Sequence, residues 1–205
     1  MSEDALDPLV EGYRRFRSEI WPQERARYEA LAHWGQSPDT MIIACSDSRV
    51  DPQTIFGAVP GEMFVVRNVA ALVPPYEPDK AGHHGTSAAI EFGVRVLKVE
   101  RLVVLGHAQC GGVRAMIHGA PPQARDFVAD WVDIGKSAMG EPGAPAAPLA
   151  ELEAAVVRLS LANLMTFPWI ADAVAKGRLS VQGFRFDIHT GVLSRVLAEG
   201  ALPVD

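Results

Sequence analysis

Met41-Ile42-Ile43-Ala44-Cys45-Ser46-Asp47-Ser48-Arg49 is the stretch on which the reading of this chain turns. Its first four residues form an apolar run without alternation, the pattern of a strand covered on both faces, and Met63-Phe64-Val65-Val66 and Leu102-Val103-Val104-Leu105 repeat it. A helical pattern precedes the third run: between Thr86 and Leu97, residues Ala89, Ile90, Gly93 and Leu97 share one face. Strands alternating with helices predict an α/β fold with a doubly wound parallel sheet, right-handed crossovers and helices on both faces. Further on, helices are expected from about Leu149 to Met165 and from near Pro168 to Gly177. A strand follows within Leu179–Ile188, then a turn at Thr190-Gly191 and a closing segment, Val192–Leu197. Gly140 to Pro148 reads as a loop. Ahead of the sheet, Leu9, Val10, Tyr13, Phe16 and Ile20 stand at helical spacing, Pro22 offers a second helix start and Gly35 a stop, which predicts two amphipathic helices.

With 205 residues, 48% of them apolar, a single domain is the expectation, with residues 1–38 as a helical arm and 39–205 as the core. The 19 Lys and Arg against 25 Asp and Glu leave a net charge of −6, which argues against nucleic acid as a partner. The longest uncharged stretch, Leu159 to Ala171, falls short of the roughly 20 apolar residues of a membrane helix, so no membrane partner is expected. Acidic residues at Glu3 and Asp4, where a secretory signal carries bases, lead to a cytoplasmic expectation. In a reducing compartment the two cysteines, Cys45 and Cys110, point to metal binding or catalysis before a disulfide.

Cys45-Ser46-Asp47-Ser48-Arg49 follows the first strand and Gly106-His107-Ala108-Gln109-Cys110-Gly111-Gly112 the third. Ligands bind at the carboxyl ends of the strands in an open parallel sheet, so both segments open into one crevice. Two thiolates and an imidazole, Cys45, Cys110 and His107, make a three-ligand zinc set with a fourth position left for water, the arrangement of a catalytic site. Two thiolates neutralise the ion and weaken it as a Lewis acid, so a neighbouring acceptor helps. In extended chain Cys45, Asp47 and Arg49 point the same way, and Arg49 can hold the Asp47 carboxylate through two parallel hydrogen bonds. The glycine-rich turn at Gly106–Gly112 matches neither the dinucleotide nor the phosphate-loop pattern. His83-His84 can relay protons, although a solvated pair is the simpler reading.

Taken together, Ala44-Cys45-Ser46-Asp47-Ser48-Arg49-Val50, Phe64-Val65-Val66-Arg67-Asn68-Val69, Leu72-Val73-Pro74-Pro75, Gly106-His107, Cys110-Gly111-Gly112 and Ser160-Leu161-Ala162-Asn163-Leu164 closely resemble the beta-class carbonic anhydrases. The resemblance implies one zinc per chain on Cys45, His107 and Cys110, with Asp47 and Arg49 as the catalytic dyad. It implies reversible hydration of carbon dioxide to bicarbonate, with Gln36 and the Gly111 backbone contacting substrate and Phe64 on an apolar wall. Phe92 stands where many relatives carry Tyr. The implied fold is a mainly parallel four-stranded sheet with an added antiparallel edge strand, assembled as a homodimer or a multiple of dimers through the N-terminal helices. One branch of the family regulates itself with bicarbonate in a pocket of Trp, Arg and Tyr; here those places hold Ile42, Arg67 and Phe186, which implies a constitutively open site. Two alternatives stay open: hydrolysis of carbonyl sulfide or carbon disulfide on the same zinc set, and a redox thiol sensor, against which the intact Asp47 and Arg49 count.

Overall fold

The structure, a computed structural model, describes residues 7–77, 84–140 and 147–204. His83 of the relay pair, the first acidic residues and most of the Gly140–Pro148 loop lie outside them. The chain divides into two compact units, Met1–Ser37 and Pro38–Asp205. The boundary falls one residue before that between the predicted arm and core. No residue from 8 to 37 is buried, which leaves the helical unit without a core of its own. Helix α1 (Asp7–Arg15) runs through a π turn, Phe16–Ile20, into α2 (Trp21–Trp34). Arg15 and Trp21 both keep helical dihedrals, so the two predicted helices are one continuous rod. Pro22 sits in the first turn of α2, but Trp21, Ile20 and the π turn before it carry the helix through. Phe16, Trp21 and Tyr28 cluster with ring centroids 5.1 to 6.3 Å apart, while Leu9, Tyr13, Ile20 and Trp34 remain exposed.

The second unit is built on strands β1 (Thr40–Cys45), β2 (Met63–Asn68), β3 (Arg101–His107), β4 (Ser180–Phe186), β5 (Leu193–Val196) and β6 (Ala201–Pro203). Their order in the sheet is β2-β1-β3-β4-β5-β6. The first four are parallel, and β5 adds antiparallel to β4 as the resemblance implied. Beyond that expectation, β6 adds antiparallel to β5 and is the edge. Its three exposed residues, ending in Pro203, carry no hydrophobic pattern to betray a strand, and an edge is where proline is tolerated.

Between the strands lie α3 (Pro52–Phe56), α4 (Gly85–Glu91) with its π continuation Phe92–Leu97, α5 (Gly111–His118), α6 (Val128–Asp133), α7 (Leu149–Leu164) and α8 (Pro168–Ala175). Met41, Ile43, Leu102 and Val104 pack on one side of the sheet against Ile90, Val157, Leu164 and Ile170. On the other side Ile42, Ala44, Val103 and Leu105 pack with Ile55 and Phe56 of α3 and with Phe184 and Phe186. Burial on both faces explains the unbroken apolar runs of β1 and β3, each large aliphatic side chain contributing roughly 1.5–3 kcal/mol; the run of edge strand β2 is only half-buried. Helix α7 lies close on β3 and β4 because both strands present glycine there. A Cβ on Gly106 would stand 2.6 Å from Val157 Cγ2, and one on Gly183 2.7 Å from Val157 Cγ1. Among the described residues no single helix is long and apolar enough to cross a membrane.

Asp51 starts α3, accepting hydrogen bonds from the Thr54 amide at 2.9 Å and the Thr54 hydroxyl at 2.7 Å. Those bonds, the hydroxyl first, hold its carboxyl below the usual carboxylate range. Its stabilisation is therefore full above the ordinary carboxylate pKa and is lost as acid takes the pH down through the depressed value. Asp51→Ala is expected to cost about 1 kcal/mol at neutral pH, and Asp51→Asn much less, by urea denaturation. The gap between wild type and Asp51→Ala should narrow in acid.

Candidate metal centre

Parallel pairing in the register Ala44↔Leu105 sets the end of β1 beside the end of β3. Cys45 closes β1, His107 closes β3, and Cys110 stands at the N-cap of α5 three residues later. All three are buried, with one donor atom from each falling within 4.8 Å of the others. The two Sγ atoms are 3.9 Å apart, far beyond the roughly 2.05 Å of a disulfide. Two thiolates bonded at about 2.3 Å to one tetrahedral ion stand about 3.8 Å apart, so the spacing suits a shared metal. His107 Nδ1 lies 2.8 Å from the Ala108 carbonyl oxygen, which can only accept, so Nδ1 carries the proton and Nε2 of the neutral ring turns a lone pair to the sulfurs. That Nε2 is the one buried side-chain nitrogen or oxygen among the described residues with no hydrogen-bond partner. A second-row acceptor aimed at two sulfurs, with its ring fixed through the other nitrogen, is the geometry of a metal ligand.

The cysteines divide one proton unequally. Cys45 is lowered to about 4, first by the hydrogen bond from Cys110 and, against the cost of burial, by His107 and the amides of Asp47 and Ala70. Cys110 is driven up by giving that hydrogen bond, by burial and by the Cys45 charge. Burial opposes the imidazolium of His107, yet the neighbouring Cys45 thiolate leaves it raised overall. Beside them Asp47 receives Arg49 Nε on Oδ1 at 2.9 Å, Arg49 Nη2 on Oδ2 at 2.7 Å, and the Arg49 amide on Oδ1 at 3.0 Å. This fork, with the side-chain bonds leading, holds the Asp47 carboxyl well below the usual carboxylate range. Asp47 Oδ2 is 3.9 Å from His107 Nε2, so the carboxylate overlooks the donor cluster while staying bonded to arginine.

The sequence model of the carbonic anhydrase family matches residues 40–193, three quarters of the chain and all of the site just described. The chain is a member of the beta-class carbonic anhydrase family. It is 37% identical over 187 residues to beta carbonic anhydrase 5, chloroplastic, of Arabidopsis thaliana, covering 88% of this chain and 61% of that protein's length. Among solved structures it is similar to the beta-carbonic anhydrase CcaA, with a TM-score of 0.88 at 28% identity over 98% of this chain and 100% of the other. It is also similar to one of the tetrameric beta-carbonic anhydrases of Sordaria macrospora, with a TM-score of 0.79 at 27% identity over 97% and 99%.

Not every residue that the family resemblance nominated is at this centre. Gly111 follows Cys110 directly, exposed, its amide in the first helical turn where no carbonyl four residues back can bond it. Phe64 and Phe92 stand away from the cluster within one chain. Phe64 pairs in register with Met41 and Cys45 with Asn68, which puts Phe64 four residues, about 13 Å, towards the other end of the strands. There it packs on Phe92 with centroids 5.7 Å apart, so within one chain this aromatic pair does not line the cluster. Gln36 belongs to the helical unit, exposed just beyond the end of α2. Ile42 and Phe186 share an apolar cluster, in keeping with the loss of the regulatory pocket's polar groups.

Arg67 had no assigned work in an open site, and the structure gives it one. From β2 its Nε donates to the Cys45 carbonyl at 2.9 Å, and its Nη2 to the carbonyls of Asp47 at 2.6 Å and Val50 at 2.9 Å. One side chain thus fixes the backbone that carries a sulfur donor and the dyad. On the far side, Ala70 and Ala71 hold left-handed backbones, φ 67° and 54°, in a turn bracketed by Asn68, which bonds both the amide and the carbonyl of Leu72. A Cβ on Gly112 would stand 2.8 Å from Ala70 Cβ, so α5 can begin against this turn only with glycine there. An apolar groove of ≈ 560 Å³, lined by Val69, Phe127, Trp131 and Ile134 among others, adjoins the turn. Arg67→Met is expected to strand three carbonyls and cost about 3 kcal/mol of stability, measured by urea denaturation, with Arg67→Lys recovering part of it.

Proposed function

We propose that the chain is a zinc-dependent carbonic anhydrase, adding water to carbon dioxide to give bicarbonate and a proton, and reversing the reaction. The observation that carries this reading is the buried Cys45, His107 and Cys110 cluster, with Nε2 of His107 unpartnered and a carboxylate held over it. Zinc bound by those three side chains supplies Lewis-acid activation of water near neutral pH. The chain's own groups then aim the reaction. Arg49 keeps Asp47 ionised, so Oδ2 acts as an acceptor that orients a water O–H and leaves a lone pair turned to the substrate carbon. A carboxyl so acidic holds no proton near neutral pH, which makes Asp47 a guide for the nucleophile and no carrier of the released proton. The first-turn amide of Gly111 can donate to a substrate oxygen.

Two unoxidised thiols 3.9 Å apart suit a reducing compartment, and the cytoplasm is the location we propose. We propose further that the helical unit serves assembly into dimers or multiples of dimers, since Leu9, Tyr13, Ile20 and Trp34 leave apolar surface for a neighbour to cover.

Purified protein is expected to hold about one zinc per chain, and Cys110→Ala or His107→Ala to lose it, by metal analysis. Arg49→Ala should keep the metal but lower carbon dioxide hydration by a factor on the order of 100, followed by stopped flow. Turnover of carbonyl sulfide in preference to carbon dioxide would overturn the assignment of substrate. Removing residues 1–37 should dissociate the assembly or prevent folding; an active monomeric truncation, seen by light scattering, would refute the assembly role.

A further inference from the structure

Among the described residues three polar or charged side chains are fully buried: His107, Ser160 and Glu153. His107 belongs to the donor cluster. Ser160 accepts from the Val73 amide and donates to the Ala71 carbonyl, both at 3.2 Å, bracing the strained turn. Glu153 has no part in the chemistry above, although a buried carboxylate is costly and an apolar side chain would fill its place in α7 without that cost. Its contacts show where it acts. Oε2 receives Arg185 Nε and Nη2 of β4, both at 2.8 Å, while Oε1 faces the Cys110 amide at 3.4 Å. Arg185 also lies 3.6 Å from Asp187, so the row runs Cys110, Glu153, Arg185, Asp187.

Resting on the reading of Cys45, His107 and Cys110 as a metal site, we propose that Glu153 and Arg185 are positioning residues for the Cys110 ligand. Glu153 anchors the Cys110 backbone from behind, which sets where Sγ points. Arg185 supplies the cation that lets a carboxylate sit at this depth next to two sulfur donors and Asp47, all of them anionic when a dication is bound. Arg185 is only 13% exposed and forked onto one oxygen, so the pair acts as a fixed brace and differs in kind from a surface ion pair.

The test is zinc affinity by competition with a chromophoric chelator, together with the absorption of the cobalt-substituted protein, whose sulfur-to-cobalt and ligand-field bands report the donor geometry. Arg185→Leu is expected to weaken zinc binding about 10- to 100-fold and to shift the cobalt bands. Wild-type affinity and unchanged bands in folded Arg185→Leu would overturn the proposal. If Arg185→Leu does not fold, Arg185→Lys decides: it keeps the charge and loses the fork, so weaker binding supports the proposal and wild-type binding with unchanged bands overturns it. A wild-type protein that binds no zinc would instead overturn the reading of the metal site itself.

Discussion

Parallel pairing of β1 with β3 is the constraint on which the metal centre depends. Cys45 and Cys110 are 65 positions apart in the chain, yet their sulfurs come within 3.9 Å because two parallel neighbours must end at the same edge. Nothing in the apolar runs themselves sets that edge to the residue. In a strand buried on one face a one-residue slip would turn its apolar set to water, but β1 and β3 are apolar on both faces and carry no such penalty. Shape pins the register instead. A Cβ on Gly93 would stand 2.5 Å from Met41 Sδ, and Gly106 admits Val157 just as closely, so the flanking helices accept only one alignment of small against large.

What was legible follows from the same physics. β1, β3 and α7 were readable because each buries a long apolar pattern, and Cys45, Asp47, Arg49, His107 and Cys110 because each sits within a few residues of a strand end. The elements that escaped are short or carried by contacts. Helix α3 has five residues and β6 three, too few for a period to show. The π turn at Phe16–Ile20 changes hydrogen bonding without changing which residue types suit a helix. The separation of Phe64 from the cluster within one chain escaped for another reason. A motif gives neighbours along the chain, whereas its distance from Cys45 depends on which residue of β1 it faces, and register is a property of the paired strands.

Glu153 and Arg185 were beyond reach for a third reason. A glutamate four residues into a helix, with Glu151 two positions before it, has the composition of a solvated face. An arginine in a strand that alternates with Phe184 and Phe186 has the look of an outward polar position. Only the packing of α7 across the ends of β3 and β4 turns both inward and makes them partners. Arg67 is similar, since its carbonyl acceptors lie at the end of β1 and in the segment after it, 17 to 22 positions away in the sequence.

The three arginines around the cluster do different work because they act on different kinds of negative atom. Arg49 forks onto a side-chain carboxylate and aims it. Arg67 takes backbone carbonyls and so fixes the path of the chain between Cys45 and Val50. Arg185 meets a carboxylate that faces no substrate and whose other oxygen touches the amide of a sulfur donor. Two of the three come from β2 and β4, the strands flanking the pair that carries Cys45 and His107, and both stand near the carboxyl edge, level with Ala44 and Gly106. A site made of thiols and carboxylates gathers negative charge where the dielectric is low, and the outer strands are the nearest elements able to answer it without entering the donor set. The sheet therefore does more than bring three ligands together: its central strands end in Cys45 and His107, and its flanking strands supply two of the cations that hold the surrounding chain in place.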